Sequence, residues 1–433
     1  MSHDGIGAAY GGSSVSDDPD LRLLLPSAAD LAAAVPSSVD VAVIGGGLAG
    51  CAIAYYLARS GAEVVVLERG ELNREASGSN SGSFHFQIAI HQLTGSDLGP
   101  DRDRLLADVR LHAAAAAVWS ELEAELGASL GVHVTGGLMV AETPEELGIL
   151  VSKQRIEQEA GLETEVLTGT ALHEFAPYLA EDLAGATYCG REGHANPLLA
   201  APAFAARAIE AGARIRTHAA VTSIDDLDGP GAARFKLMTA AGPVEAHRVV
   251  NAAGAWAGDV ATLTGLSLPL RAEGLHVNVT EPREPMLAPM VQHIGRRLTL
   301  KQTGTGTFII GGGWPAQPEV APQRYSVRWP SAAGNAAIAV RVMPALADVR
   351  VTHMWAGVWA STDDFNPIIG EFGHRPGYFA CIAPTGFTLG PIVARMLAES
   401  MTGASQGKSG TGRSGPGLPA AYRPDRAGAL TRH

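Results

Sequence analysis

Gly45-Gly46-Gly47-Leu48-Ala49-Gly50 has the G-x-G-x-x-G spacing and directly follows the β-branched run of residues 41–44. Residues 51–59 read as a helix that Ser60-Gly61 ends, and residues 63–67 read as a second strand closing on Glu68. Such a turn binds phosphate. Gly45 permits the bend, Gly47 lets a pyrophosphate reach the backbone, and Gly50 lets helix and strand pack closely. The N–H groups that open the helix, those of Leu48 and Ala49 among them, face the anion together with the positive end of the helix dipole. Glu68, at the tip of the second strand, is placed to accept from ribose hydroxyls. Strand, turn, helix and acid together predict a dinucleotide site.

A second loop, residues 74–82 (REASGSNSG), alternates small residues with hydroxyl and amide side chains. It can bring backbone N–H groups to a ligand, with Ser77, Asn80 and Ser81 as side-chain partners. Ordinary surface loops share this composition. Three cysteines (Cys51, Cys189 and Cys381) are far apart, with no C-x-x-C, so neither a metal site nor a disulfide framework is indicated. That usage predicts a reducing cytoplasm. The formal net charge of −12 argues against nucleic acid and against an anionic membrane surface. No run is long and apolar enough to span a bilayer.

The elements that must hold these loops fall into an α/β pattern. Residues 1–36 read as a disordered lead-in without a signal peptide, with a short helix over 28–34. Residues 101–126 form a helix, 132–142 a strand pair around Gly136-Gly137, and Thr143 caps a helix that Pro144 opens. A helix over 198–211 follows Gly193-His194-Ala195-Asn196-Pro197. Strands follow over 213–217, 220–224 and 245–250, the last running into Asn251-Ala252-Ala253-Gly254. Residues 275–280 alternate as a half-exposed strand, 298–301 and 308–312 make a hairpin, and Ser331 caps a helix over 332–343. Strands at 351–355 and 378–382 precede a helix at 392–401, and the Gly/Ser/Arg-rich tail 402–433 reads as disordered with solvated charges.

Four patches together resemble the FAD-dependent amine and amino-acid oxidoreductases of the D-amino-acid-oxidase class: VAVIGGGLAG…VVVLERG, REASGSNSG, VVNAAGAWAG and WAGVWASTDDFNPIIG…APTGFTLGP. The second patch, with SFHFQI, GTFIIGGGWPA and GFTLGP, looks closest to the flavoprotein β-type subunits of opine oxidase and hydrogen cyanide synthase. Glycine and sarcosine oxidases are similar too. The resemblance implies a discontinuous Rossmann-like FAD-binding domain (37–100, 186–265 and 345–401). Inserted in it is an antiparallel-sheet-plus-helix substrate domain (101–185 and 266–344). It places Arg69, Ala76, Ser77, Asn80, Ser81, Gly82 and Ser83 along phosphates and flavin, and Val221 near the adenine. Ala253 and Gly254 would pass close to the cofactor, and Gly386, Phe387, Thr388 and Leu389 would bring helix N–H groups to the flavin pyrimidine.

Two departures from the class pattern matter. Trp359 stands where many relatives carry a carboxylate-binding Arg, and residues 350–360 hold no Cys to tether FAD, so non-covalent FAD is expected. The implied reaction oxidises a C–N bond of an amine, opine or N-substituted amino acid by hydride transfer to the flavin, followed by imine hydrolysis. His85, His276 and Trp359 are the substrate-facing candidates, and each has a structural alternative. Lys301 is a candidate replacement cation. The rival functions are a non-catalytic FAD-holding relay subunit and a stand-alone oxidase of an amine lacking a carboxylate. Partner subunits are expected in the β-type subfamily.

Overall fold

The computed structural model describes residues 23–89, 102–227, 234–321, 323–403 and 418–426. Most of the lead-in and tail expected to be disordered lies outside these residues. The short helix near the start covers Ala28–Leu31, boxed by Ser27 and Asp30.

Two large sheets organise the chain. The first runs Ile368–Phe372, Arg375–Ile382, Gly242–Asn251, Ser38–Ile44, Val64–Leu67, Arg214–Arg216 in spatial order. Its central pairs are parallel, and an antiparallel pair, Val221–Asp226 and Phe235–Thr239, attaches through Phe235–Thr239 to the first half of the central strand Gly242–Asn251. Alternation explains why the middle strand is apolar throughout. Val41 and Val43 enter one core with the helices Leu48–Arg59, Pro197–Glu210 and Gly386–Thr402, while Ala42 and Ile44 enter the core on the other face. A strand covered on both sides has no polar face to keep.

The second sheet runs Val351–Thr362, Leu270–Pro282, Thr307–Gly311, Thr299–Gln302, Met290–His293, Gly137–Ala141, Gly185–Cys189, Glu165–Leu167. It is antiparallel except where Met290–His293 runs parallel to Gly137–Ala141. The strands Gly185–Cys189 and Val351–Thr362 come from segments that the sequence grouped with the first domain, and their register pairs them into this second sheet.

Three local expectations are corrected. The strand pair over 132–142 is one strand, Gly137–Ala141, because Gly136 bends the chain and its N–H bonds Glu192 O. The helix expected from Ala332 begins at Trp329 with Arg328 at its N-cap, since the Ser331 hydroxyl donates to Pro315 O instead of capping. In the tail, Arg426 is not solvated: its guanidinium grips Asp364 at 2.9 and 3.0 Å.

Candidate functional site

The Gly-rich turn is built as its spacing requires. Gly45 has φ +114°, and a Cβ there would lie 2.6 Å from Ala252 O; at Gly50 it would lie 1.9 Å from Gly45 O. Leu48, Ala49 and Gly50 open the helix, so no helical carbonyl is available to their N–H groups. Ser77 Oγ accepts from Leu48 N at 2.9 Å. Glu68 does lie at the strand tip, where its two oxygens accept from Gly46 N (2.6 Å) and Gly70 N (2.7 Å). The carboxylate therefore braces the turn from the side expected to meet a ribose. Arg69 is committed elsewhere, 3.6 Å over the Trp256 ring and 3.1 Å from Glu75.

The second loop folds onto the first. Ala76–Ser79 is one helical turn, and Asn80 closes it by donating to Ala76 O and Ser77 O while accepting from Gly82 N at 2.7 Å. Ser81 lies half-buried in the same turn, and Ser83 pairs with His194. Ala253 and Gly254 follow the central strand Gly242–Asn251, and the Asn251 side chain accepts from Ala253 N. Val221 begins an edge strand of the same sheet. Helix Gly386–Thr402 packs its Gly390 on Leu48, which sets the starts of the two helices side by side. In its first turn Phe387 stacks on Phe84 and packs at a tilt against Trp119, while Thr388 Oγ1 accepts from His85 N. Leu389 is buried.

Strand parity decides which candidates face these loops. In the second sheet Lys301 is paired with Ile309, Gly357 with Leu275, and Gln292 with Thr299. Paired residues share a face and alternate residues return to it. Gly357 abuts the Ser79 hydroxyl, Trp355 Nε1–H donates to Ser79 O at 2.7 Å, and Lys301 Nζ lies beside Gly82. This face therefore meets the two glycine-rich loops and carries Trp355, Trp359, Gln292 and Lys301. His276 belongs to the opposite parity. It is buried towards helix Trp329–Val342 and bonded to Asn278 at 2.8 Å, and Asn278 in turn bonds Asn335. The structure therefore separates His276 from the other candidates. Trp359 is on the right face, but its N–H is used on Pro384 O and its ring stacks on Phe365.

Around Lys301 the site is dry and basic. Lys301 is 3% exposed, and burial alone pulls its ammonium down to about 7, with no carboxylate opposing the shift. Burial lowers His85 to about 4, with Lys301 and His112 nearby pushing the same way and a hydrogen bond to the Gln292 side chain opposing them. His194 falls well below the usual histidine range, again through burial first, then Lys301 and His133. At neutral pH both imidazoles are neutral and Lys301 is poised between forms.

Sequence reasoning missed Gln292, His194 and Glu192. Glu192 sits in a turn flanked by Arg191 and Gly193, which reads as solvated, yet it is fully buried and accepts from Phe86 N, Gln87 N and Gln87 Nε2. Burial lifts its carboxyl above the usual range while those donors oppose the shift.

A Gly-rich helix start with an acid on the adjoining strand is the arrangement of a dinucleotide-binding fold, and here a second sheet with a buried lysine faces it. The chain belongs to the FAD-dependent oxidoreductase (DAO) family, whose profile matches residues 40–400. It is 30% identical over 378 residues to one subunit of the opine oxidase of Rhizobium meliloti, spanning 84% of this chain and 93% of that protein. It is 29% identical to glycine oxidase of Geobacillus kaustophilus, spanning 83% and 92%. Among solved structures, L-proline dehydrogenase from P. horikoshii superposes with a TM-score of 0.75 at 25% identity, covering 86% of this chain and 95% of that one. No helix among the described residues is long and apolar enough to cross a membrane.

Proposed function

We propose that this flavoenzyme oxidises the C–N bond of a carboxylate-bearing amine, with an opine or another N-substituted amino acid as substrate. The observation that carries this reading is Lys301: a buried cation with no counter-ion among the described residues, on the sheet face turned to the glycine-rich loops. Buried charge is tolerated where a partner arrives, and a substrate carboxylate is such a partner. Trp359, with one N–H already bonded to Pro384 O, offers a carboxylate nothing comparable. Similarity to opine oxidase, glycine oxidase and sarcosine dehydrogenase, all of which act on amino acids or their N-substituted derivatives by name, supports the same class.

The residues present fit FAD. Gly47 meets little beyond the Ser77 hydroxyl, Ala49 and Gly50 open helix Leu48–Arg59 where no helical carbonyl serves their N–H groups, and Glu68 lies at the tip of the adjoining strand, where a ribose is expected. When bound, FAD supplies the two-electron acceptor. The chain's part is to orient the amine, exclude water and hold the carboxylate at Lys301 Nζ. No cysteine lies in residues 350–360, so FAD is held non-covalently. Three buried unpaired thiols support a reducing, cytoplasmic setting, and similarity to one component of a multi-subunit oxidase supports partner subunits.

Anaerobic bleaching of the bound flavin tests the substrate class. Opines, N-methyl amino acids, proline and glycine are compared with the same amines lacking the carboxylate. Bleaching by the acids, lost selectively in Lys301→Met, is the expected result. Bleaching only by carboxylate-free amines would sink the anchor, and indifference to every amine would favour an electron-relay role.

A further inference from the structure

The last described segment, residues 418–426, returns to the first sheet and ends in a clasp. Leu418 lies beside Gly370 on strand Ile368–Phe372, and Tyr422 is buried in the core shared with helix Gly386–Thr402. This seating brings the Arg426 side chain, only 9% exposed, to the turn that follows strand Val351–Thr362. Nε and Nη2 take the two Asp364 oxygens at 2.9 and 3.0 Å. Nη1 donates to Pro367 O at 3.0 Å, and Nη2 reaches Asn366 O at 3.3 Å. A further bond from Nη1 to Arg423 O closes the segment on itself. A planar fork used in this way fixes orientation as well as distance.

What Arg426 brackets is Phe365. Its φ is +54°, a left-handed conformation that a bulky side chain rarely adopts. Strain of this sort persists only where the surroundings over-determine it. Here Asp364 before it and Asn366 and Pro367 after it are all bonded to Arg426, and Thr362 Oγ1 closes the turn on Asn366 O at 3.0 Å. Held in this way, the Phe365 ring stacks on Trp359 with centroids 6.0 Å apart. The Trp359 N–H in turn bonds Pro384 O, just ahead of helix Gly386–Thr402, whose N-cap Thr385 makes no side-chain cap bond. We propose that Arg426 is a positioning residue for the cofactor site: by fixing Phe365 against Trp359, it fixes where that helix starts. This rests on the reading that the helix start meets the flavin.

The test titrates FAD into the full-length apoprotein by fluorescence and follows stability in denaturant melts. Arg426→Met, similar in length but without donors, should weaken FAD binding about tenfold, the scale of one hydrogen bond to a charged group. Arg426→Lys keeps the charge without the fork and should recover part of that loss. Leu418→Ala removes an apolar contact of the same segment and leaves the clasp's hydrogen bonds in place, so it should lower stability with FAD affinity unchanged. Trp359→Phe combined with Arg426→Met should lose no more affinity than the larger single loss, because both act through one indole. Affinity unmoved in Arg426→Met but lowered in Trp359→Phe overturns the proposal, as do additive losses or an equal loss in Leu418→Ala. Affinity unmoved in both means that the helix start does not meet the flavin, and the proposal falls with the reading beneath it. The clasp itself is decided without FAD. Glycine takes positive φ freely, so Phe365→Gly should cost less stability in Arg426→Met, where the stack is already loosened, than in the native chain. Equal costs overturn the clasp. Should Arg426→Met fail to fold, Asp364→Asn weakens the same fork and takes its place in every comparison.

Discussion

Lys301 is costly to the fold, and the cost has a sign that can be measured. Its folded pKa is depressed to about 7 from the ordinary value near 10.5. Between those pH values the unfolded chain binds a proton that the folded chain does not, so this residue makes stability rise with pH by up to about 1.4 kcal/mol per unit. Below about pH 7 both states are protonated and the cost is at its full, constant size. Lys301→Met should therefore raise the Tm most at about pH 6, with the gain fading towards about pH 10. Thermal melts of the two proteins across that range check it, and a gain that grows with pH would contradict the buried ammonium. Trp359 makes the contrasting case. Its N–H holds Pro384 O just ahead of helix Gly386–Thr402. Trp359→Phe should cost about 1 kcal/mol of stability and weaken FAD binding, with substrate preference kept. A changed substrate preference at unchanged FAD affinity would place the indole against substrate instead.

At the scale of elements, the turn and the loop of residues 76–82 act as one unit because Ser77 Oγ bonds Leu48 N. Gly47→Val would put branched carbons onto that hydroxyl, which lies 2.8 Å from the Cβ position, and across the open side of the turn. The protein should fold and purify colourless, with FAD binding undetectable by fluorescence titration. Yellow protein of normal stoichiometry would show that the pyrophosphate does not use this turn. The tail supplies a second unit. Arg426 clamps Asp364 and also donates to Pro367 O, which ties residues 418–426 to the turn after strand Val351–Thr362. Removing one partner leaves the other partly buried and unpaired, so Arg426→Ala should lower stability by about 1–3 kcal/mol in denaturant melts.

For the whole molecule, the absence of a cysteine in residues 350–360 makes a prediction about the cofactor's attachment. Acid precipitation should leave all the yellow colour in the supernatant. Colour retained in the pellet would mean a covalent link formed elsewhere. Similarity to the Rhizobium meliloti opine oxidase component over 93% of its length carries a second expectation. Expressed at native levels, the chain should co-purify with partner subunits and reduce oxygen slowly when isolated. A monomer that makes peroxide rapidly and stoichiometrically would count against it.

What the sequence determined by itself was contiguous. In the turn at 45–50, the acid at 68 and the glycine-rich loop at 74–82, neighbouring residues supply both the conformation and the hydrogen-bonding groups, so spacing was enough to predict the turn, the helix start and the acid at the strand tip. Patches separated along the chain extended that to the cofactor and the family. The tertiary structure decided everything that depends on which face of a strand points where. Lys301 lies on a strand buried throughout, and on the strand of His276 it is the polar side, with Asn278 and Thr280, that is buried, so polarity does not mark the faces correctly and only the register of the second sheet puts Lys301 with the glycine-rich loops and His276 behind. Glu192 is the extreme case. Its neighbours in sequence suggest a solvated turn, and its burial is sustained by donors 100 or more residues away, brought to one carboxylate by the meeting of loop and sheet.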